Sequence, residues 1–171
     1  GFSALLLGAV GLKVAARAQG PVVVVQSSEQ PAKGVVLVGV RDEDDLPAVR
    51  FAATLAGRRK ASLRLLSAWT LLRYLESAAP VVQAVREVAE AAAAASTRIL
   101  GEVREEFPDL TVGDDVVQVP SPAGALVEAS GHADLLVVGA RKHPHAPGTS
   151  LGRVAHAMLH HAHCPVAVFP R

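Results

Sequence analysis

The sequence has little cysteine and few aromatic residues, and each scarcity excludes a class of protein. One cysteine cannot form an internal disulfide and suits a reducing compartment, so we expect a cytoplasmic protein. One Trp, one Tyr and four Phe leave few rings for stacking on nucleic acid bases. Lys and Arg total 17 against 16 Asp and Glu, so no basic excess points to a nucleic acid partner.

Long apolar runs are also missing. The apolar start of the chain, residues 1–12, is followed by Lys13 and Arg17, well short of the roughly 20 residues that a membrane-spanning helix needs. We therefore expect no membrane partner, and favour a globular segment over a secretory signal with a cleavage-like site at residues 16–18. Half of the 171 residues are hydrophobic, which is enough for one good core.

The most informative stretch is an apolar run that ends at Gly139 and leads into a basic loop. A short apolar run with a polar entry and a glycine exit predicts a strand covered on both faces, as in a parallel sheet. Gly139 allows a sharp turn, and Arg141 and Lys142 add positive charge. Thr149 or Ser150 can cap a following helix, whose free N–H groups attract anions. The stretch is a candidate phosphate cradle, and the alternative is a turn with a solvated loop.

Strand and helix patterns alternate along the rest of the chain. This alternation predicts an α/β fold with an open, mostly parallel, five-stranded sheet flanked by helices. We expect Gly57 to end the first helix of this series, and a break in the third strand at residues 113–115. The expected strands lie at residues 35–40, 61–69, 110–119, 133–138 and 164–169, and the expected helices at 46–57, 80–107, 121–131 and 150–162.

The two ends of the chain match each other at one constant shift of 144 positions (Gly8 to Gly152). A gap-free match over a helix, a proline and a strand indicates an internal repeat. Residues 1–25 are then the last helix and strand of a preceding repeat, residues 26–34 a linker, and residues 35–171 one complete domain. The matched residues are Leu7, Gly8, Val10, Ala18, Pro21, Val22 and Val24 with Leu151, Gly152, Val154, Ala162, Pro165, Val166 and Val168.

The C-terminal part of the chain resembles the universal stress proteins. Their signature is Gly, two residues, Gly, nine residues, then Gly with Ser or Thr, followed by a Cys-Pro-Val strand. Here Gly139 and Gly152 keep the spacing, and residues 164–166 are Cys-Pro-Val. Lys142 replaces the second glycine of the signature, and Arg153 replaces the Ser or Thr. The resemblance implies a Rossmann-like fold of the tandem-repeat type with a degenerate nucleotide-binding loop.

The resemblance also implies where a nucleotide would lie, across the carboxyl ends of the first and fourth strands of the domain. Members that bind nucleotides have an Asp directly after the first strand, where this chain has Arg41. Lys142 disfavours the positive φ of the phosphate loop by roughly 1 kcal/mol or more. The candidate nucleotide-binding residues are Gly39, Val40, Arg41, Ala68, Gly139, Arg141, Lys142, Gly152, Arg153 and Val154.

The function that follows is a non-enzymatic stress-response domain that acts in interaction or dimerisation, with no firm cofactor. The first alternative is a sensor that still binds ATP or AMP with magnesium, and a weaker one is a slow nucleotide hydrolase. In the family the last strand commonly pairs across a dimer. We therefore expect antiparallel pairing of residues 22–25 with residues 166–169, so that Val22 and Val24 meet Val166 and Val168. Such pairing serves either self-association or an intramolecular pseudo-dimer.

Two histidines and the cysteine were weighed as metal ligands. His156 and His160 stand four residues apart, a spacing that can ligate zinc, and Cys164 is close in sequence. No third ligand with defined geometry is evident from the sequence, so an exposed histidine face is the favoured interpretation and no metal site is predicted. Cys164 before Pro165 suits a small buried apolar residue rather than a nucleophile.

Overall fold

A computed structural model of the chain describes residues 9–25, 31–70, 81–140 and 151–170. Five α-helices are present in these ranges: α1 (Ala9–Arg17), α2 (Leu46–Arg59), α3 (Val81–Glu106), α4 (Pro122–Ser130) and α5 (Arg153–His161). Six strands accompany them: β1 (Val22–Val24), β2 (Val35–Val40), β3 (Ser62–Trp69), β4 (Val112–Gln118), β5 (Leu135–Ala140) and β6 (Val166–Pro170). A short 3-10 turn at Glu43–Asp45 leads into α2.

The strands form one sheet in the order β1-β6-β5-β2-β3-β4. The five strands from β2 to β6 are parallel to one another, and β1 alone runs antiparallel, at the edge beside β6. The predicted fold class is therefore confirmed, with β1 as a sixth strand. Among the described helices, none is long and apolar enough to cross a membrane.

Helices cover both faces of the sheet, which explains the uninterrupted apolar strands. Side chains alternate between faces along a strand, so Leu37 of β2 packs in one layer while Val36 and Val38 pack in the other. The first layer also contains α1, α4 and α5, and includes the buried Leu126 and Met158. The second layer contains α2 and α3. The central strands are thus held rigidly where they end in loops.

Asp134 ties β2 to β5 at the end where both strands begin. Its carboxylate accepts hydrogen bonds from the backbone N–H groups of Lys33 (2.7 Å), Gly34 (2.6 Å) and Val35 (3.2 Å). Its own N–H donates to the carbonyl of Val35 at 2.8 Å. One aspartate therefore sets the relative position of the two strands on which the candidate site depends.

The boundaries of α4 are as predicted, and the end predicted for α2 is wrong. Ser121 caps α4, since its hydroxyl accepts a hydrogen bond from the N–H of Gly124 at 3.1 Å. Gly57 does not end α2, which continues to Arg59. Lys60 ends it instead in the left-handed conformation (φ 53°), and its N–H bonds the carbonyls of the preceding turn.

The break predicted in the third strand of the domain is also wrong. Gly113, Asp114 and Asp115 continue β4 in register with β3. Partners on neighbouring elements hold both carboxylates, because the Ser96 hydroxyl donates to Asp114 at 2.8 Å and Arg64 Nε donates to Asp115 at 2.6 Å. Two acidic residues in a row signalled a loop, but the adjacent strand and helix supply the groups that make them compatible with a strand.

Candidate functional site

The carboxyl ends of β2 and β5 lie side by side and form a crevice. The strands pair in parallel, with Val38 opposite Val137, and β2 ends at Val40 while β5 ends at Ala140. In open parallel sheets, ligands bind in the crevice outside such strand ends. The first and fourth strands of the domain are therefore neighbours at one edge, as the predicted site requires. Arg141 and Lys142, which follow β5, lie outside the described residues.

Gly39 lies next to the last residue of β2, and its backbone packs closely against α4. A methyl group built at Gly39 would lie 3.2 Å and 3.3 Å from the two terminal carbons of Leu126. The glycine thus permits close approach of α4 to β2, which is a structural role. Val40 beside it is buried. Ala68, one of the candidate nucleotide-binding residues, is half-buried near the end of β3, next to β2 in the sheet.

Arg41 is the first residue after β2 and is held by two acidic neighbours. Its backbone N–H donates to Asp45 Oδ2 at 2.9 Å, and Asp45 is buried. Its guanidinium forms an ion pair with Asp42, in which Nε donates to Oδ2 at 2.7 Å. An arginine that is ion-paired with its neighbour therefore occupies the position where the family resemblance implies an Asp. The sequence did not indicate Asp45 as the residue that fixes this loop.

Four acidic residues, Asp42 to Asp45, follow Arg41 after the end of β2. The structure gives most of them local partners: Asp42 pairs with Arg41, Glu43 pairs with Arg98 of α3, and Asp45 accepts a backbone N–H. Asp44 lines a separate recess of about 470 Å³ between the start of α2 and the end of β6. The local cations offset much of this negative charge.

The second wall of the site is the start of α5. Gly152 is its N-cap, with φ 57° and ψ 151°, a conformation open to glycine and costly for other residues. The helix begins at Arg153 and not at Ser150 as predicted, and Thr149 and Ser150 lie outside the described residues. Arg153 and Val154 are exposed in the first turn. Gly152 thus precedes the free N–H groups of the first turn of α5, with arginine in place of a hydroxyl.

Gly139 lies within β5, one residue before its end. It stands opposite Phe169 of β6 and is half-buried. β5 continues through Gly139 to Ala140, so the turn that was predicted at Gly139 does not begin there. The chain leaves the strand at least one residue later. Of the predicted site residues within the described ranges, Gly39, Val40 and Arg41 stand on one wall of the crevice. Gly139 lies on the neighbouring strand.

The cysteine lies before the start of β6, at the end of the sheet opposite the crevice. Cys164 is buried just before β6, and burial raises the pKa of its thiol to about 11, so it stays a thiol at neutral pH. This fits the predicted buried apolar role. Within residues 9–25, 31–70, 81–140 and 151–170, no group of three or more His, Cys, Asp or Glu side chains is placed to hold a metal ion.

Comparison with known proteins gives related sequences along most of the chain. A universal stress protein from Mycobacterium tuberculosis is 34% identical over 171 residues, and the match covers 95% of this chain and 56% of that protein. A second one from the same species is 31% identical over 174 residues, with 95% and 53% covered. The chain thus spans about half the length of the curated relatives it matches.

Solved structures show the same fold. A universal stress protein from Archaeoglobus fulgidus in complex with dAMP superposes with a TM-score of 0.60 at 18% identity, over 78% of this chain and 95% of that one. A universal stress protein in complex with cAMP superposes with a TM-score of 0.56 at 28% identity, over 78% and 94%. The model of the universal stress protein family matches residues 34–170. The chain therefore belongs to the universal stress protein family.

Proposed function

We propose that this chain is a non-enzymatic stress-response domain of the cytoplasm that works by pairing with a domain of its own kind. Its nucleotide site is degenerate in this proposal, because Arg41 is ion-paired where the family resemblance implies an Asp. The observation that supports the interaction role best is the geometry of the β1–β6 edge, which has the symmetry of a contact between two equivalent domains.

The pairing of β1 with β6 is symmetric with respect to the internal repeat. The shift of 144 positions that relates the chain ends maps each β1 residue onto a β6 residue (Gly8 to Gly152 sets the shift). Val22 pairs with the repeat equivalent of Val24, and Val24 pairs with the repeat equivalent of Val22. The central residue, Val23, pairs with its own equivalent, Ala167, and so marks the local two-fold axis. A self-complementary contact of this kind is isologous, as in two-fold dimers. The pairs are Val22 with Val168, Val23 with Ala167, and Val24 with Val166.

The exposed valines of the N-terminal segment extend the argument. Val14, Val23 and Val25 are 54%, 46% and 70% exposed, unusually high for valine. Under the repeat shift, Val14, Val23 and Val25 correspond in turn to Met158, Ala167 and Phe169 of the complete domain. Met158 and Ala167 are buried there, and Phe169 contacts Phe51. The N-terminal segment thus presents at its surface the positions that a complete domain buries. We infer that the outer edge of β1 accepts a second domain of this fold, with a parallel strand placed as β5 is placed beside β6.

A disulfide across the two-fold axis tests the pairing. Paired Cα atoms in an antiparallel ladder lie about 4.5–5.5 Å apart, within the range for a disulfide. In a Cys164→Ala background, Val23→Cys with Ala167→Cys is expected to oxidise within one chain at low protein concentration. Val23→Cys alone is the matched control. Disulfide-linked dimers in place of intrachain bridges would instead show self-association through this edge, and failure to form either would refute the pairing.

The second candidate function is an ATP or AMP sensor with magnesium. Two observations favour it: β2 and β5 end side by side, and the free N–H groups at the start of α5 follow Gly152. Solved relatives in complex with dAMP and cAMP support it as well. Titration with Mg-ATP separates this candidate from the degenerate site, and phosphate release above buffer would be required for slow hydrolysis.

A further inference from the structure

Two histidines on α5 form a close pair that the proposed function does not use. His156 and His160 lie one helical turn apart, His156 exposed and His160 half-buried. Their ring centroids are 4.7 Å apart, with the ring planes at 45°. We propose that these two side chains together bind one divalent late transition-metal ion, of the Ni²⁺, Cu²⁺ or Zn²⁺ class, with water completing the coordination.

The ring separation matches two ligands on one metal ion. An imidazole nitrogen lies about 2.0–2.1 Å from such an ion, which places the ring centroid about 3.2 Å from it. Two rings in cis positions, at about 90 to 109° around the metal, then have centroids about 4.5 to 5.2 Å apart. The observed 4.7 Å lies inside this range. The terminal torsion of histidine is broad, so a small rotation can direct one nitrogen of each ring at a shared ion.

The electrostatic surroundings contain one favourable and one opposing element. His160 lies in the last turn of α5, where the negative end of the helix dipole favours a cation. Arg153, one turn before His156, opposes a cation.

The two proposed ligands both belong to α5 and include none of the candidate nucleotide-binding residues. His156 and His160 are four and eight residues beyond Gly152, distances of about 6 and 12 Å at the rise of an α-helix. The next histidine of α5, His161, has its ring centroid 6.2 Å from that of His160. With two ligands from the described helix, the site is expected to be of modest affinity.

Calorimetry of the untagged chain with NiCl₂ and with ZnCl₂ at neutral pH tests the proposal. One ion per chain is expected, with broadening of both imidazole NMR signals by Ni²⁺. His156→Ala or His160→Ala should weaken binding about 10-fold or more, since each removes one of two ligands. His161→Ala is the matched control and should bind as the parent does. The variant His143→Ala with His145→Ala should also retain binding.

Three results would overturn the proposal. The first is no saturable binding of either ion. The second is binding that His156→Ala leaves unchanged. The third is binding that is lost with His143→Ala and His145→Ala, which would place the ion on the loop after β5.

Discussion

Replacement of Asp134 by alanine should destabilise the domain more than any ordinary surface change, because one side chain holds three backbone groups. The carboxylate accepts from the N–H groups of Lys33, Gly34 and Val35. Hydrogen bonds to a charged group contribute about 1.5–3 kcal/mol each. The Gly34 donor is exposed and those of Lys33 and Val35 are partly buried, so water replaces only part of these hydrogen bonds in the variant. We therefore expect a loss of about 2–4 kcal/mol in the free energy of unfolding.

Urea unfolding followed by circular dichroism measures this loss. The matched control is Asp134→Asn, which keeps one of the two acceptor oxygens. Lys33 uses Oδ1, whereas Gly34 and Val35 use Oδ2, so the amide retains only part of the hydrogen bonds and its variant should lie between the parent and Asp134→Ala. A change below about 0.5 kcal/mol for Asp134→Ala is the size of an ordinary surface substitution. That result would contradict the role of Asp134 in joining β2 to β5.

Two further substitutions test backbone strain and titration. Gly152→Ala should cost about 1–3 kcal/mol of unfolding free energy, because φ 57° with ψ 151° disfavours a side chain. Gly57→Ala, where nothing lies within 4 Å of the added carbon, should instead stabilise α2 by about 0.5–1 kcal/mol. Equal effects of the two substitutions in thermal unfolding would contradict backbone strain at Gly152. The lowered pKa of His160 means that the unfolded chain binds its proton more readily, so the contribution of this residue is present above the ordinary value of 6.5 and is lost as the pH falls below it. His160→Gln should reduce the loss of stability on acidification, measured by urea unfolding at a series of pH values above and below 6.5. An unchanged dependence of stability on pH would refute the contribution of His160.

The sequence predicts most of the fold because its local signals agree with the packing. The apolar run at Val35–Val40 is a strand buried on both faces, as its composition indicates. Ser121 and Pro122 place the start of α4 to the residue. The family resemblance also predicts the antiparallel pairing of β1 with β6, because the last strand commonly pairs across a dimer in that family and the repeat match supplies an equivalent strand at residues 22–25.

One error arises where distant residues decide the local structure. A strand through Asp114 and Asp115 depends on Ser96 and Arg64, which are far away in sequence. The same applies to the candidate site, where the pairing of strands, and not any local pattern, brings its walls together. The capture of the Arg41 N–H by the buried Asp45 gives only a weak sequence signal, an acidic residue four positions on.

Whether the site at the ends of β2 and β5 binds nucleotide is the central question for this chain, and calorimetric titration with Mg-ATP answers it most directly. The degenerate site predicts no heat attributable to binding at micromolar affinity, which corresponds to about 8 kcal/mol. Arg41→Asp combined with Lys142→Gly restores two of the three positions at which the chain departs from the family pattern, and is the matched gain-of-binding variant. Saturable binding of Mg-ATP by the unaltered chain with a Kd in the micromolar range would contradict the proposal and establish the sensor in its place.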